Sequence, residues 1–270
     1  MPDLRVLTGP ELSQAMDWAA AEGWNPGLDD AAAFRAADPE GFFGAFAGGE
    51  MVAAISVVNH DPGMAFLGLY LCRPDWRGRG VGFALWSHAL AHAGERTVGL
   101  DGVPAQQANY VKSGFAPAGQ TWRWQGRIDG RSDPAVREAG AADLAELLAL
   151  DRAATGYDRS RFLSAWLAPA ASRRTYLGHG GFATLRLCRG AAKIGPVVAP
   201  EAAAGLTLIR AAVAAMGVGE IVVDLPEGSA LTAPLQALGF GASFGTARMY
   251  RGPAPRGDGT GLAVATLELG

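Results

Sequence analysis

Six residues, Arg77-Gly78-Arg79-Gly80-Val81-Gly82, combine three glycines and two guanidinium groups in a pattern suited to holding phosphate. An apolar run, Phe66 to Cys72, precedes them and ends at Pro74. After them Val81, Leu85, Trp86, Ala89, Leu90 and Ala93 recur at helical spacing. A strand feeding a glycine turn feeding a helix presents the unpaired first amides of that helix, with their partial positive charge, to an anion. Glycines let the backbone approach closely, and each charge-assisted hydrogen bond to phosphate contributes roughly 1.5–3 kcal/mol. A plain turn with two solvated arginines is the bland reading. Three glycines at a helix start are costly in conformational entropy, which favours the ligand. A dinucleotide G-x-G-x-x-G fails, because its third glycine would fall on Phe83 or Leu85; G-x-x-x-x-G-K-[ST] occurs nowhere.

The segment Leu71 to Gly82 resembles the acetyl-CoA signature, R-x-x-G-x-G, of the GCN5-related N-acetyltransferases (the GNAT superfamily). The resemblance covers about residues 1–126. It implies that amides of Arg77, Gly78, Arg79, Gly80, Val81, Gly82 and Phe83 hold the CoA pyrophosphate. The main chain of Leu71, Cys72 and Arg73 would hold the pantetheine arm. Tyr110-Val111-Lys112-Ser113-Gly114-Phe115 is similar to the family's Y-x-x-x-G-F segment. There the tyrosine protonates the departing thiolate. A phenol near ~10 can protonate or hydrogen-bond a thiolate whose thiol lies near ~8.5. The alternative is a core tyrosine with its hydroxyl at the surface. Family members often carry an asparagine seven residues before the tyrosine. Val103 stands there, and Asn109 instead precedes Tyr110. The fourth strand lacks the family's glutamate, so no general base is assigned.

Trp24-Asn25-Pro26-Gly27 lies between two helices, where the family borders its acceptor pocket; a helix-ending turn with a core tryptophan is the competing reading. Asp101, at a strand end, either orders a water that deprotonates the amine or caps the helix carrying Tyr110. His60 reads as a surface histidine at a hairpin tip, with a base as the alternative. His88 and His92 read as an exposed helix face, no third ligand for a metal being visible.

The elements that position these groups come in two sets. At 270 residues the chain accommodates one large or two small domains. Strands are expected at 3–7, a hairpin around Gly48-Gly49 and a strand at 97–101, with helices from Pro10 to Glu22, from Asp29 to Ala37 and from Pro104 to Ser113. Gly126 to Pro134 reads as a linker. Beyond it the pattern returns. Pro74-Asp75 matches Pro200-Glu201, Asp101 matches Asp224, and Gly114-Phe115 matches Gly239-Phe240. Leu262 to Leu269 reads as a last strand. The second set has Ala202-Ala203-Ala204-Gly205 in place of the arginine-glycine loop and Leu235 in place of Tyr110. The expected fold is therefore α/β (α+β): two tandem GNAT-like domains, residues 1–128 binding acetyl-CoA and 134–270 degenerate, closing the acceptor side or acting as scaffold. Each would be a mixed, mostly antiparallel sheet flanked by helices.

Composition sets the bounds. Apolar residues make up 49% and charged ones 18%, which fits a globular chain. A net charge of −3 with no basic run argues against nucleic acid. No signal-like or membrane-length apolar segment appears, so a cytoplasmic protein and no membrane partner are expected. Two distant cysteines argue against a disulfide framework, and no cluster has zinc spacing. Abundant alanine and glycine suggest a bacterial source. The expected activity is acetyl transfer from acetyl-CoA to the amine of a small molecule or peptide, directly in a ternary complex, by a monomer or homodimer without metal. A CoA-binding regulatory module without turnover is the alternative.

Overall fold

The computed structural model describes residues 2–270. Its first half runs β1 (Asp3–Val6), α1 (Gly9–Ala21), α2 (Asp30–Ala37), β2 (Phe42–Ala47), β3 (Glu50–Asn59), β4 (Met64–Cys72), α3 (Val81–Ala91), β5 (Thr97–Gly102), α4 (Gln107–Lys112) and β6 (Ala116–Arg127). The second half runs β7 (Arg137–Glu138), α5 (Leu144–Thr155), α6 (Ser160–Leu167), β8 (Arg173–Gly178), β9 (Gly181–Arg186), β10 (Ala192–Val198), α7 (Ala202–Met216), β11 (Glu220–Pro226), α8 (Thr232–Ala237), β12 (Gly241–Arg251) and β13 (Gly261–Ala263). The repeat read from the sequence is thus a repeat of elements.

All the strands join one sheet in the order β1-β2-β3-β4-β5-β12-β6-β11-β10-β9-β8-β7, with β13 against β10. Pairing is antiparallel except for β4–β5 and β10–β11. The two halves exchange their closing strands. β6 of the first half pairs β11 of the second, and β12 of the second half lies between β5 and β6.

A bidentate ion pair fixes each exchange. Arg123 on β6 donates to Asp224 on β11 at 2.7 and 2.9 Å. Arg248 on β12 donates to Asp101 on β5 at 3.0 and 2.7 Å. The repeated aspartates each accept an arginine from the other half. Buried charges this close require such pairing.

Helices cover both faces. On one, α1 and α2 meet α5 and α6 in a core shared by the halves, where Phe34 stacks on Trp166 with centroids 6.2 Å apart. Separate cores form under α3 and α7.

Two expectations need correction. The stretch Leu262 to Leu269 pairs as a strand only over Gly261–Ala263; beyond it the chain leaves the sheet to cross between the halves. The segment taken as a linker from Gly126 begins later, because β6 holds Gly126 and Arg127 against β11.

Candidate active site

β4 and β5 pair only from Met64 and Thr97 to Leu67 and Leu100. There β4 bulges. Ala54 faces Leu71 and Ser56 faces Gly68, so Ile55 opposes both Leu69 and Tyr70. Leu69 takes φ 47°, the left-handed conformation that accommodates the extra residue. Beyond Leu67 the edge of β4 that faced β5 has no ladder partner among the described residues, and a gap opens between the strands. Leu71 and Cys72 lie along it. Arg73 sits at its outer end, with its guanidinium turned to Glu50 and Asp75 at 3.0 and 3.1 Å.

The glycine loop follows at once. Gly78 and Gly80 have φ of 75° and 79°, a region where a side chain is strained. The hydrogen bond from Ala84 N–H to Gly80 carbonyl opens α3 at 3.0 Å, so the amides of Val81, Gly82 and Phe83 precede the first helical bond. A Cβ on Gly82 would lie 2.7 Å from the Tyr70 hydroxyl. Loop and gap are therefore contiguous. Arg77 braces the loop, donating to the Cys72 carbonyl at 3.0 Å and to Glu22 at 2.9 Å. The Arg79 guanidinium lies 5.1 Å from the Trp76 ring centroid. Phe83 is 71% exposed on the first turn of α3.

The gap ends in a chamber of about 70 Å³ between β4, β5 and β12. Tyr110 forms part of its wall. The ring is buried and stacked on Trp86 at 5.3 Å and 15°. Its hydroxyl makes no hydrogen bond among the described residues. Burial pushes its ionisation well above that of an ordinary phenol, so it stays a proton donor at neutral pH. Trp24 forms another wall, and its carbonyl accepts from Lys193 at 2.8 Å and Arg123 at 3.1 Å. Trp24, Arg123 and Phe244 also line an open cleft of about 770 Å³ between the halves.

Several expected residues have other employment. Asp101 reaches the chamber wall, but its side chain is fully buried against Arg248 and caps nothing on the Tyr110 helix. It locks the two strands together. Asn25 holds the halves together, donating to the Ala191 carbonyl at 2.9 Å and accepting from Gly190 at 3.0 Å. Asn109 is exposed and does not line the chamber; it donates to Gln106, which does, at 2.9 Å. His60 is buried, contrary to expectation, with its ring 2.9 Å from the Leu269 carbonyl. Burial lowers its pKa to about 4, so it is neutral at pH 7. His88 is exposed as read, whereas His92 bonds Asp38 at 2.8 Å. Among the described residues no cluster of metal-binding side chains occurs.

Other residues emerge only from the structure: Arg123, Phe244, Leu267 and Glu268 all face the chamber from the second half or the exchanged strand. One signal existed for the arginines. Arg123 follows Phe115 by eight residues, as Arg248 follows Phe240.

The second half opens the same gap and fills it. β10 and β11 pair over Ala192–Ile194 and Ile221–Val223, then part at a bulge holding Gly195 and Pro196. β13 pairs Val197 and Val198 in that space, and Val264 N–H donates to the Asp224 carbonyl at 3.0 Å.

Comparison with known proteins agrees with this duplication. Residues 10–115 match a family model described as "Acetyltransferase (GNAT) family", and residues 147–262 match one described as "Acetyltransferase (GNAT) domain". The holothin acyltransferase of Pseudoalteromonas sp. (strain SANK 73390) is 34% identical over 263 residues, which span 94% of this chain and 90% of that one. Among solved structures, a proposed acetyltransferase from Pyrococcus horikoshii superposes with a TM-score of 0.83 at 19% identity, covering 99% of this chain and 95% of that one. A tandem GNAT protein from the clavulanic acid biosynthesis pathway gives 0.64 at 17% identity, covering 94% and 100%. At these identities the solved structures speak for the fold.

Proposed function

The chain belongs to the GNAT family of acetyltransferases, an acyltransferase family, and on that premise we propose that it moves an acetyl group from acetyl-CoA to an amine. The observation that carries this reading is the continuity of glycine loop, open strand gap and Tyr110 chamber in the first half alone. Amides of Gly78 to Phe83 would receive the pyrophosphate, and the unpaired edge of β4 the pantetheine arm. The thioester would then lie beside Tyr110. The second half, its gap filled by β13, would bind no CoA and would instead supply the far wall of the acceptor site.

The chamber has room for the reacting ends only, so the body of the acceptor would occupy the wider cleft beyond Trp24 and Phe244. Direct attack in a ternary complex fits better than a cysteine-bound intermediate. Burial pushes the Cys72 thiol up, which leaves little thiolate at pH 7. The amine attacks the thioester carbonyl, the C–S bond breaks, and Tyr110 protonates the departing thiolate. Holding amine and carbonyl in line supplies much of the rate. One chain builds the whole site, so a monomer or a homodimer would serve.

Release of free CoA thiol, followed with a panel of amines, tests the reading. The relative's name makes holothin a first acceptor to include. Acetyl-CoA at ~100 times its dissociation constant should stabilise the fold by about 2.7 kcal/mol. Stabilisation without thiol release from any acceptor would mark a CoA-binding module instead. No stabilisation at millimolar acetyl-CoA would reject both.

A further inference from the structure

After β13 the chain crosses from the filled gap of the second half to the open gap of the first. Two glycines mark this path. A Cβ on Gly195 would lie 2.2 Å from the Val264 carbonyl oxygen, and one on Gly68 2.2 Å from that of Glu268. The crossing carries Leu267 and Glu268 into the wall of the Tyr110 chamber.

Glu268 is 5% exposed. One carboxylate oxygen accepts the Thr266 hydroxyl, and the Thr266 oxygen in turn accepts Glu268 N–H at 3.2 Å. The carboxylate makes no other hydrogen bond and no ion pair within 4 Å among the described residues. The charged groups around it are Lys193 on β10, Arg123 on β6, Arg186 on β9 and Asp30 on α2. Arg123 and Lys193 are engaged by Asp224 and the Trp24 carbonyl, Arg186 by Asp30 and the Ala265 carbonyl. Asp101, the other chamber carboxylate, is held by Arg248. Glu268 is thus the chamber carboxylate left without an arginine.

We propose that Glu268 is the general base of the transfer, delivered to the first half's site by the crossing segment. The inference rests on the acyl-transfer reading above. The nitrogen lone pair forms the new C–N bond, and the nitrogen's proton passes to the Glu268 carboxylate. The C–S bond electrons leave with sulfur, which takes the Tyr110 proton. Solvent returns the proton from Glu268 to Tyr110, so the net change is one amide and one thiol. Burial outweighs the surrounding cations and lifts the carboxyl above the ordinary range, towards the proton affinity a base needs.

The test compares wild type, Glu268→Gln and Thr266→Val in thiol release across pH, with acetyl-CoA affinity measured separately. Loss of a general base lowers kcat by about 100-fold or more. Glu268→Gln should do so with acetyl-CoA affinity unchanged and the acid limb of the kcat profile abolished. Thr266→Val removes a hydrogen bond to the ionised form, so its acid limb should move to higher pH. A structural role for the segment would move neither limb. Glu268→Gln with kcat within twofold of wild type, or an unmoved limb in Thr266→Val, overturns the assignment while the transferase reading stands. Wild type that binds acetyl-CoA but acetylates no acceptor overturns both.

Discussion

Tyr110 and Leu235 hold the same place in the two halves, four residues before Gly114 and Gly239, and both are buried. The position is a core position, and the hydroxyl is what the first half adds. A hydroxyl that faces the chamber without a protein partner contributes little to the fold. Tyr110→Phe should therefore leave unfolding and acetyl-CoA affinity nearly unchanged while kcat falls by about 100-fold. Its ionisation is raised by burial, so wild-type activity should show no alkaline loss from this group up to pH ~10. An alkaline limb below pH 9 that vanishes in Tyr110→Phe would contradict this. Glu268 has the opposite balance. A carboxyl raised in the folded state disfavours folding above its unfolded value near ~4.3. Glu268→Gln should accordingly unfold at higher urea than wild type at pH 8, and the difference should shrink towards pH 4. Equal midpoints at both pH values would show that the buried charge carries no such cost.

Helices, strands and the glycine loop were legible because each depends on local spacing. The place of Tyr110 beside the chamber was legible only through the resemblance of residues 110–115 to the family segment. The exchange of β6 and β12 was not, because either half-sheet could accept either strand by hydrophobic pattern alone. What decides it is the pairing of Arg123 with Asp224 and Arg248 with Asp101, between residues 101 and 147 positions apart. The same distance hid Glu268, whose segment was read as a strand from its alternating apolar residues. Asp101 was noticed for its place at a strand end but its arginine was not, since sequence shows a carboxylate and not what pairs it. Arg248→Met would leave Asp101 buried and uncompensated, at a cost of about 3–5 kcal/mol. The double variant Asp101→Leu with Arg248→Met should recover most of that in urea unfolding. On the other exchange, Asp224 is held below its unfolded value near ~3.9, the cations Lys193 and Arg123 outweighing its burial. The stability it adds is complete above that value and is lost as pH falls through the folded one. Acid unfolding below pH ~4 should thus be less steep in a doubly neutral variant, Asp224→Leu with Arg123→Met. An unchanged slope would remove this pair from the acid response.

The strand exchange makes the halves inseparable although their sequences repeat. Cutting between them, near Asp133, leaves β5 without β12 and β6 without β11. It also halves the core in which Phe34, Phe162 and Trp166 pack together. Exposed strand edges of this length favour aggregation. The chain should consequently unfold in one cooperative transition, with near-coincident midpoints by intrinsic tryptophan fluorescence and by far-ultraviolet circular dichroism. Residues 1–133 expressed alone should be largely insoluble. Produced together, residues 1–133 and 134–270 should assemble, because every ladder of the exchanged strands runs between the two pieces and needs no covalent link. That reconstituted pair should also regain thiol release, since the chamber draws Tyr110 from one piece and Phe244, Leu267 and Glu268 from the other. A soluble, active 1–133 fragment would show that the second half is dispensable for the chemistry, and would reject the shared chamber as the site.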